Sequence, residues 1–250
     1  MNIVAFVPAR GQSKSILRKN IKLLGDKPLI AYSIEKAFQA DIQRVIVDTE
    51  DSEIAQIAKE YGAEVMDRPN SLAKDTTSMF EVLQAEIPRI RPEPDIVLLL
   101  QPTSPFRSKV HIKLALSMLS SNLDKYDSVV SVERVPEKYN PAVVIIGTPM
   151  GKKMVMGKLG FVQNLKAMFT GKTWSEPSLS GVPISQRITR RQDHPEAWVP
   201  TGSIYLFKTE NLKKGSIYGD RVMLIEAESS VNINSIEDWE QAEEYLKNAK

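Results

Sequence analysis

Ile3-Val4-Ala5-Phe6-Val7-Pro8-Ala9-Arg10-Gly11-Gln12-Ser13-Lys14-Ser15-Ile16-Leu17-Arg18-Lys19-Asn20 is the stretch from which the rest of the chain is read. Its first five residues form an unbroken apolar run that stops at loop-forming residues, the pattern of a strand covered on both faces. Ile96 to Leu100 repeats that pattern, and the pair suggests central parallel strands. Between them the periodicity predicts a helix over Leu29 to Phe38, a strand over Arg44 to Asp48 and a helix over Ser52 to Tyr61. A strand over Glu64 to Met66 and a helix over Thr76 to Ile87 follow. The helix after Asp51 carries Ile54, Ala55, Ile57 and Ala58 at helical spacing, and Gly62 supplies a stop.

A helix over His111 to Leu119 and a strand over Ser128 to Val132 complete an α/β core in about the first 133 residues. The rhythm then breaks. Residues 134–190 hold Pro136, Pro141, Pro149, Pro177 and Pro183 with a few short apolar stretches, including Val143 to Ile146, and read as a loop-rich insertion with a hairpin or two. Strands over Ser203 to Phe207 and Val222 to Glu226 return, followed by a helix from Ile236 with Ser235 as N-cap and Asp238 in its first turn. The expected architecture is a single domain over residues 1–250, three layers α/β/α around a mostly parallel sheet.

Composition narrows the function. The 250 residues carry 33 Lys and Arg against 31 Asp and Glu, a net charge of +2, so no global field attracts polyanions. Neither nucleic acid nor membrane is an expected partner. The chain has no cysteine, which excludes disulfides, thiolate nucleophiles and Cys-based metal sites. His111 and His194 lie far apart, and His194 beside Pro195 reads as structural rather than as a base. No apolar run approaches the ~18 residues of a membrane span, and the N-terminus turns cationic at Arg10 without a signal-type core. A cytoplasmic protein is expected.

In a doubly wound sheet ligands bind outside the carboxyl ends of the strands. The loop from Pro8 to Asn20 has four cations, one glycine and no acid. By itself it reads either as a phosphate cradle, since cations and free backbone N–H groups stabilise multiple negative charge, or as a solvated basic loop. It matches neither a Walker sequence nor a dinucleotide fingerprint. The second loop, Gln101-Pro102-Thr103-Ser104-Pro105-Phe106-Arg107, has two prolines that fix the backbone and present Gln101, Thr103, Ser104 and Arg107. Gln101 is suited to reading a base or a sugar; the alternative is a structural turn before Ser108. Asp75 has two roles open to it, N-cap of a helix beginning at Thr76 and ligand contact. Arg187, Arg190, Arg191 and Gln192 form a basic cluster that is either solvated or a match for a carboxylate.

These motifs resemble those of the CMP-sialic acid synthetases, the acylneuraminate cytidylyltransferases. Arg10, Ser13, Lys14, Lys19 and Asn20 fall on that family's R-x-x-S-K-x-x-x-x-K-N signature, and Gln101 to Arg107 on its Q-P-T-S-P-L-R with Phe106 for Leu. Ile46 to Asp51, Arg68-Pro69, Leu72 to Asp75, Arg191-Gln192, Gly202 to Tyr205 and Trp239 to Glu243 follow in the family's order. The resemblance implies a nucleotide-diphospho-sugar transferase fold of the GT-A or Rossmann-like kind. It further implies transfer of CMP from CTP to the anomeric hydroxyl of a nine-carbon 2-keto sugar acid, of sialic, legionaminic or pseudaminic type, with release of pyrophosphate. Mg²⁺ and a homodimer, with the insertion as dimerisation element, belong to the same implication. It places Ala9, Arg10, Gly11, Ser13, Lys19, Asn20, Asp75 and Ser78 at the nucleotide. Gln101, Thr103, Ser104, Arg187, Arg191, Gln192 and Gly202 go to the acceptor sugar, and Arg10, Lys19 and Gln101 to catalysis.

The sequence departs from that pattern where the resemblance places metal ligands, an Asp-x-Asp before the last helix: here Asn232 and Asn234 stand at both positions. Two lost carboxylates weaken a hard-cation site. Gln12, Ser15, Leu17, Asp48, Glu50 and Thr201 also differ. Two alternatives stay open: a nucleotidyltransferase of the same fold with another base or sugar, and a nucleotide binder without turnover.

Overall fold

The computed structural model describes residues 1–134, 145–146, 155–156, 198–227 and 231–248. The chain begins with β1 (Ile3–Pro8), the short hairpin β2 (Leu23–Leu24) and β3 (Lys27–Pro28), and α1 (Leu29–Gln39). It continues through β4 (Val45–Thr49), α2 (Ser52–Glu60), β5 (Glu64–Asp67), α3 (Met79–Glu86), β6 (Ile96–Leu99), α4 (Lys109–Ser120) and β7 (Ser128–Arg134). The two-residue strands β8 (Ile145–Ile146) and β9 (Val155–Met156) pair with each other, and β8 also pairs with the start of β10 (Trp198–Lys208). Then come α5 (Glu210–Lys213), β11 (Val222–Glu226) and α6 (Ile236–Asn248).

The central sheet has the order β11-β7-β10-β6-β1-β4-β5, and of these strands β10 alone runs against the others. Three layers follow from alternation along the strands. Ala5 and Val7 of β1, with Leu98 of β6, face Ile30 and Ile34 of α1, Ile54 of α2 and Ile112 of α4. Val4, Phe6, Val97 and Leu99 face the other way, onto Phe80 and Leu83 of α3 and Leu212 of α5. Each buried side chain of this size contributes roughly 1.5–3 kcal/mol, so a one-residue slip of β1 would lose both faces at once. A third cluster, Leu24, Leu29, Tyr32, Ile233 and Trp239, docks α6 against the start of α1. That contact brings residues 231–234 to the carboxyl edge of β1 and β6.

Most element limits agree with the sequence reading within a residue or two, and β10 begins five residues earlier than expected. The start of α3 differs more. Ser78, rather than Asp75, caps this helix: its Oγ accepts from the Glu81 N–H at 3.2 Å while the Glu81 carboxylate accepts from the Ser78 N–H at 2.7 Å. A reciprocal capping box satisfies two free N–H groups with side chains that lie at the helix start itself. Asp51 caps α2 as expected, and Ser235 and Asp238 form a reciprocal cap on α6. Most of the 134–190 insertion, and Arg187, Arg190, Arg191, Gln192 and His194, lie outside the described residues.

Candidate active site

At the carboxyl ends of β1 and β6 lies a cavity of about 470 Å³. Pro8, Arg10, Gln12, Ser13, Lys19 and Asn20 form one wall, residues 72 and 74–79 the facing wall, and Gln101, Pro102, Thr103 and Arg68 the inner end. The basic loop keeps its shape through the acids that follow β4. Gly11 N–H donates to Glu50 Oε1 at 2.7 Å, and Arg18, in the left-handed region at φ 54°, pairs with Asp51 and Glu53. A Cβ on Gly11 would collide with the Asp51 side chain, so glycine is required there by proximity. Asn20 Nδ2 donates to the Arg10 carbonyl at 2.8 Å and closes the loop on itself.

Lys19 reaches inward, its Nζ donating to the Ile233 carbonyl at 2.8 Å, and burial followed by the nearby Arg10 charge lowers its pKa. Ile233 N–H in turn donates to the Thr103 carbonyl at 2.7 Å. The segment 232–234 is therefore hydrogen-bonded to both loops. Gly202 touches the same segment: it sits at φ +76°, and a Cβ there would lie 2.8 Å from Asn232 Nδ2.

Gln101 is 8% exposed and lines the cavity, and its Nε2 has no hydrogen-bond partner among the described residues. An orphaned buried amide donor is costly, by about 1–3 kcal/mol. Arg107 does not reach the cavity, contrary to the sequence reading. It is 2% exposed and turned inward, donating to the Gln101 and Ser203 carbonyls and to Ser33 Oγ. Burial lowers its pKa to about 9, which leaves it charged at neutral pH. The two prolines turn the loop so that Arg107 clamps its underside while Gln101 faces the cavity.

Of the expected residues, Arg10, Ser13, Lys19, Asn20, Asp75, Ser78, Gln101 and Thr103 converge on the cavity. Ala9, Gly11, Ser104 and Gly202 do not line it. Ala9 is fully buried with its N–H donating to the Asp48 carbonyl, and Ser104 Oγ donates to the Gly202 carbonyl at 3.3 Å, so these residues shape the backbone around the site. Arg68 is a cavity residue to which the sequence reading gave no role. It is 4% exposed and held through Nε on Asp48 Oδ2 at 2.6 Å and through Nη2 on the Asp48 carbonyl at 3.0 Å. Burial lifts the Asp48 carboxyl to about 6 against the opposing pull of Arg68. The available signal was position: Arg68 and Asp48 both stand at carboxyl ends of strands, where the same rule had singled out the two loops.

Asn232 and Asn234 do not fit a protein-held Mg²⁺. Asn234 Nδ2 lies 3.4 Å from Asn232 Oδ1 and donates to it, so the pair is turned on itself. Among the described residues no three Asp, Glu, His or Cys side chains are grouped to hold a metal.

The fold and the cation-rimmed cavity at the sheet's carboxyl edge define an α/β nucleotidyltransferase architecture. The solved structure of CMP:2-keto-3-deoxy-manno-octonic acid synthetase complexed with CTP shares it, with a TM-score of 0.72 at 15% identity over 100% of both chains. The cytidylyltransferase family profile matches residues 4–146, and the chain belongs to that family. An N-acylneuraminate cytidylyltransferase of Escherichia coli is 44% identical over 133 residues, covering 53% of this chain and 31% of that protein. A CMP-N,N'-diacetyllegionaminic acid synthase of Legionella pneumophila is 40% identical over 123 residues, covering 47% of this chain and 53% of that protein. The chain thus spans about half or less of the length of these curated relatives. Among the described residues no helix is long and apolar enough to cross a membrane.

Proposed function

We propose that this chain transfers CMP from CTP to the anomeric hydroxyl of a nine-carbon 2-keto sugar acid. The sugar hydroxyl gives up its proton to solvent as its oxygen attacks the α-phosphorus, the bond from that phosphorus to the β-phosphate oxygen breaks, and pyrophosphate leaves. The observation that carries this reading is the cavity itself, which Arg10 and Lys19 line together with Arg68 and Gln101. In-line displacement at phosphorus asks the protein to align two reactants and to stabilise charge on phosphate oxygens, and fixed cations with an oriented donor do both. Arg68, locked by Asp48, adds a donor for a nucleotide carbonyl. The similarity to relatives named for acylneuraminate and legionaminic acid supports an acidic sugar acceptor. Arg187, Arg191 and Gln192 are assigned to its carboxylate by residue type, within a homodimer whose contact uses the insertion. The enzyme works in the cytoplasm, where CTP is made available.

Magnesium enters as counter-ion of the substrate, in a Mg²⁺–CTP complex, because the asparagine pair offers no anionic ligand. The same pair favours a second reading, a binder without turnover. Pyrophosphate release measured with CTP, UTP, GTP and ATP against a panel of 2-keto sugar acids decides between them. Release with CTP and one of the acids is the expected result. Product formed only from GTP rejects the cytidylyl reading, and CTP binding with no turnover across the panel favours the binder. Activity appearing only in the Asn232→Asp, Asn234→Asp double variant would locate the missing function in the lost carboxylates.

A further inference from the structure

Asp75 stands on the wall facing the basic loop, yet its carboxylate crosses to that loop. Oδ1 is 2.7 Å from Arg10 Nη1 and Oδ2 is 2.8 Å from Lys14 Nζ. One anion with two oxygens on two cations is the arrangement a phosphoryl group makes with the same pair. Asp75 is not needed by its own helix, since Ser78 and Glu81 complete the cap of α3. The hydrogen bond from Lys14 and the charge of Arg10 hold its carboxyl below the usual carboxylate range, so it stays ionised at neutral and mildly acid pH.

We propose that Asp75 is a built-in competitor anion: it occupies Arg10 and Lys14 in the empty protein and must be displaced by the polyphosphate of the substrate. The inference rests on the triphosphate reading of the same cavity. Its consequence is a threshold. The cost of displacing Asp75 is common to every anion that uses the Arg10 and Lys14 pair, so a nucleotide that also contacts Gln101 and Arg68 clears it while a bare phosphate does not. When pyrophosphate forms, Asp75 is at hand to take the cations back and speed its departure.

The test is calorimetric titration of CTP, inorganic pyrophosphate, inorganic phosphate and cytidine into the full chain and its Asp75→Asn and Asp75→Glu variants, at low and high salt. Exposed ion pairs are individually weak, so the expected gain on losing two of them is about three- to tenfold. Asp75→Asn should tighten all three phosphate ligands by that common factor, leave cytidine unchanged and lower the inhibition constant of pyrophosphate. The gain should shrink at high salt, and Asp75→Glu should return towards the parent. Pyrophosphate affinity that is unchanged or weaker in Asp75→Asn, while the parent binds CTP, overturns the role of Asp75 and leaves the proposed function standing. A shift in cytidine affinity also overturns it, because Asp75 would then act on the nucleoside. A parent that binds no CTP overturns the reading beneath both.

Discussion

The loops after β1 and β6 leave neighbouring parallel strands at one edge of the sheet and face the same cavity, but they are held by different physics. In the first, Lys14 is 81% and Arg10 33% exposed, and the loop keeps its shape through ion pairs and contacts with the acids after β4. In the second, Gln101, Ser104 and Arg107 are all buried, and neutral acceptors surround a guanidinium that has no carboxylate partner among the described residues. A solvated rim of charge attracts anions over a distance set by ionic strength. A buried, geometrically fixed donor discriminates between ligands at contact, because a wrong ligand leaves it unpaired. The cavity therefore divides its work: the first loop gathers phosphate and the second selects what accompanies it.

The largest effect should come from Lys19, which lines the cavity and is hydrogen-bonded to the Ile233 carbonyl. Lys19→Ala should lower kcat/KM for CTP by about 10²–10³, the cost of removing a preorganised charge-stabilising donor, measured by pyrophosphate release in a folded variant. Retention of parental turnover would break the comparison, since the second loop would then carry the chemistry alone. Next, Arg107→Ala should destabilise the fold by about 3 kcal/mol in chemical denaturation, because it empties a buried site and orphans two carbonyls and a hydroxyl. A loss near zero would show that the second loop is held by its prolines. Gln101→Ala should cost about five- to thirtyfold in kcat/KM and should narrow the preference for CTP over UTP. That estimate is one or two kcal/mol for a single buried hydrogen bond.

The smallest effect is a slope. The Asp48 carboxyl is raised in the folded protein to about 6, so the native state binds more protons than the unfolded chain from about pH 4 to 6. This group's contribution to stability is therefore greatest at the acid end of that window and is lost as pH rises through 6. Asp48→Asn should flatten that part of the stability curve, read from denaturation midpoints at stepped pH. An unchanged slope would mean that Arg68 holds Asp48 ionised throughout.

Much of this is legible in the sequence. The apolar runs at Ile3 and Ile96 are strands because no other element buries so short a run on both faces, and the parallel order places their carboxyl ends, hence both loops, at one edge. The cap at Asp51 and the cap at Ser235 were likewise local matters of one side chain and the N–H groups beside it. What went unread depended on partners distant in the chain. Arg107 looked presented because prolines flank it, but its direction is set by Ser33 in α1 and Ser203 in β10. Arg68 acquired its place through the parallel register that sets Asp48 opposite Met66. Asp75 lost the capping role to Ser78, where Glu81 supplied the second hydrogen bond.

By itself the sequence determined which segments become strands and helices, that cations and an amide would gather at the sheet's carboxyl edge, and that both positions the resemblance gives to metal ligands hold amides. Those properties follow from side-chain chemistry and local periodicity, which survive in any arrangement of the chain. The tertiary structure decided which of those groups face the cavity, which turn inward to hold the backbone, and that an aspartate spans to the cations opposite. Such choices depend on the distance between elements far apart in sequence, and only packing fixes that distance.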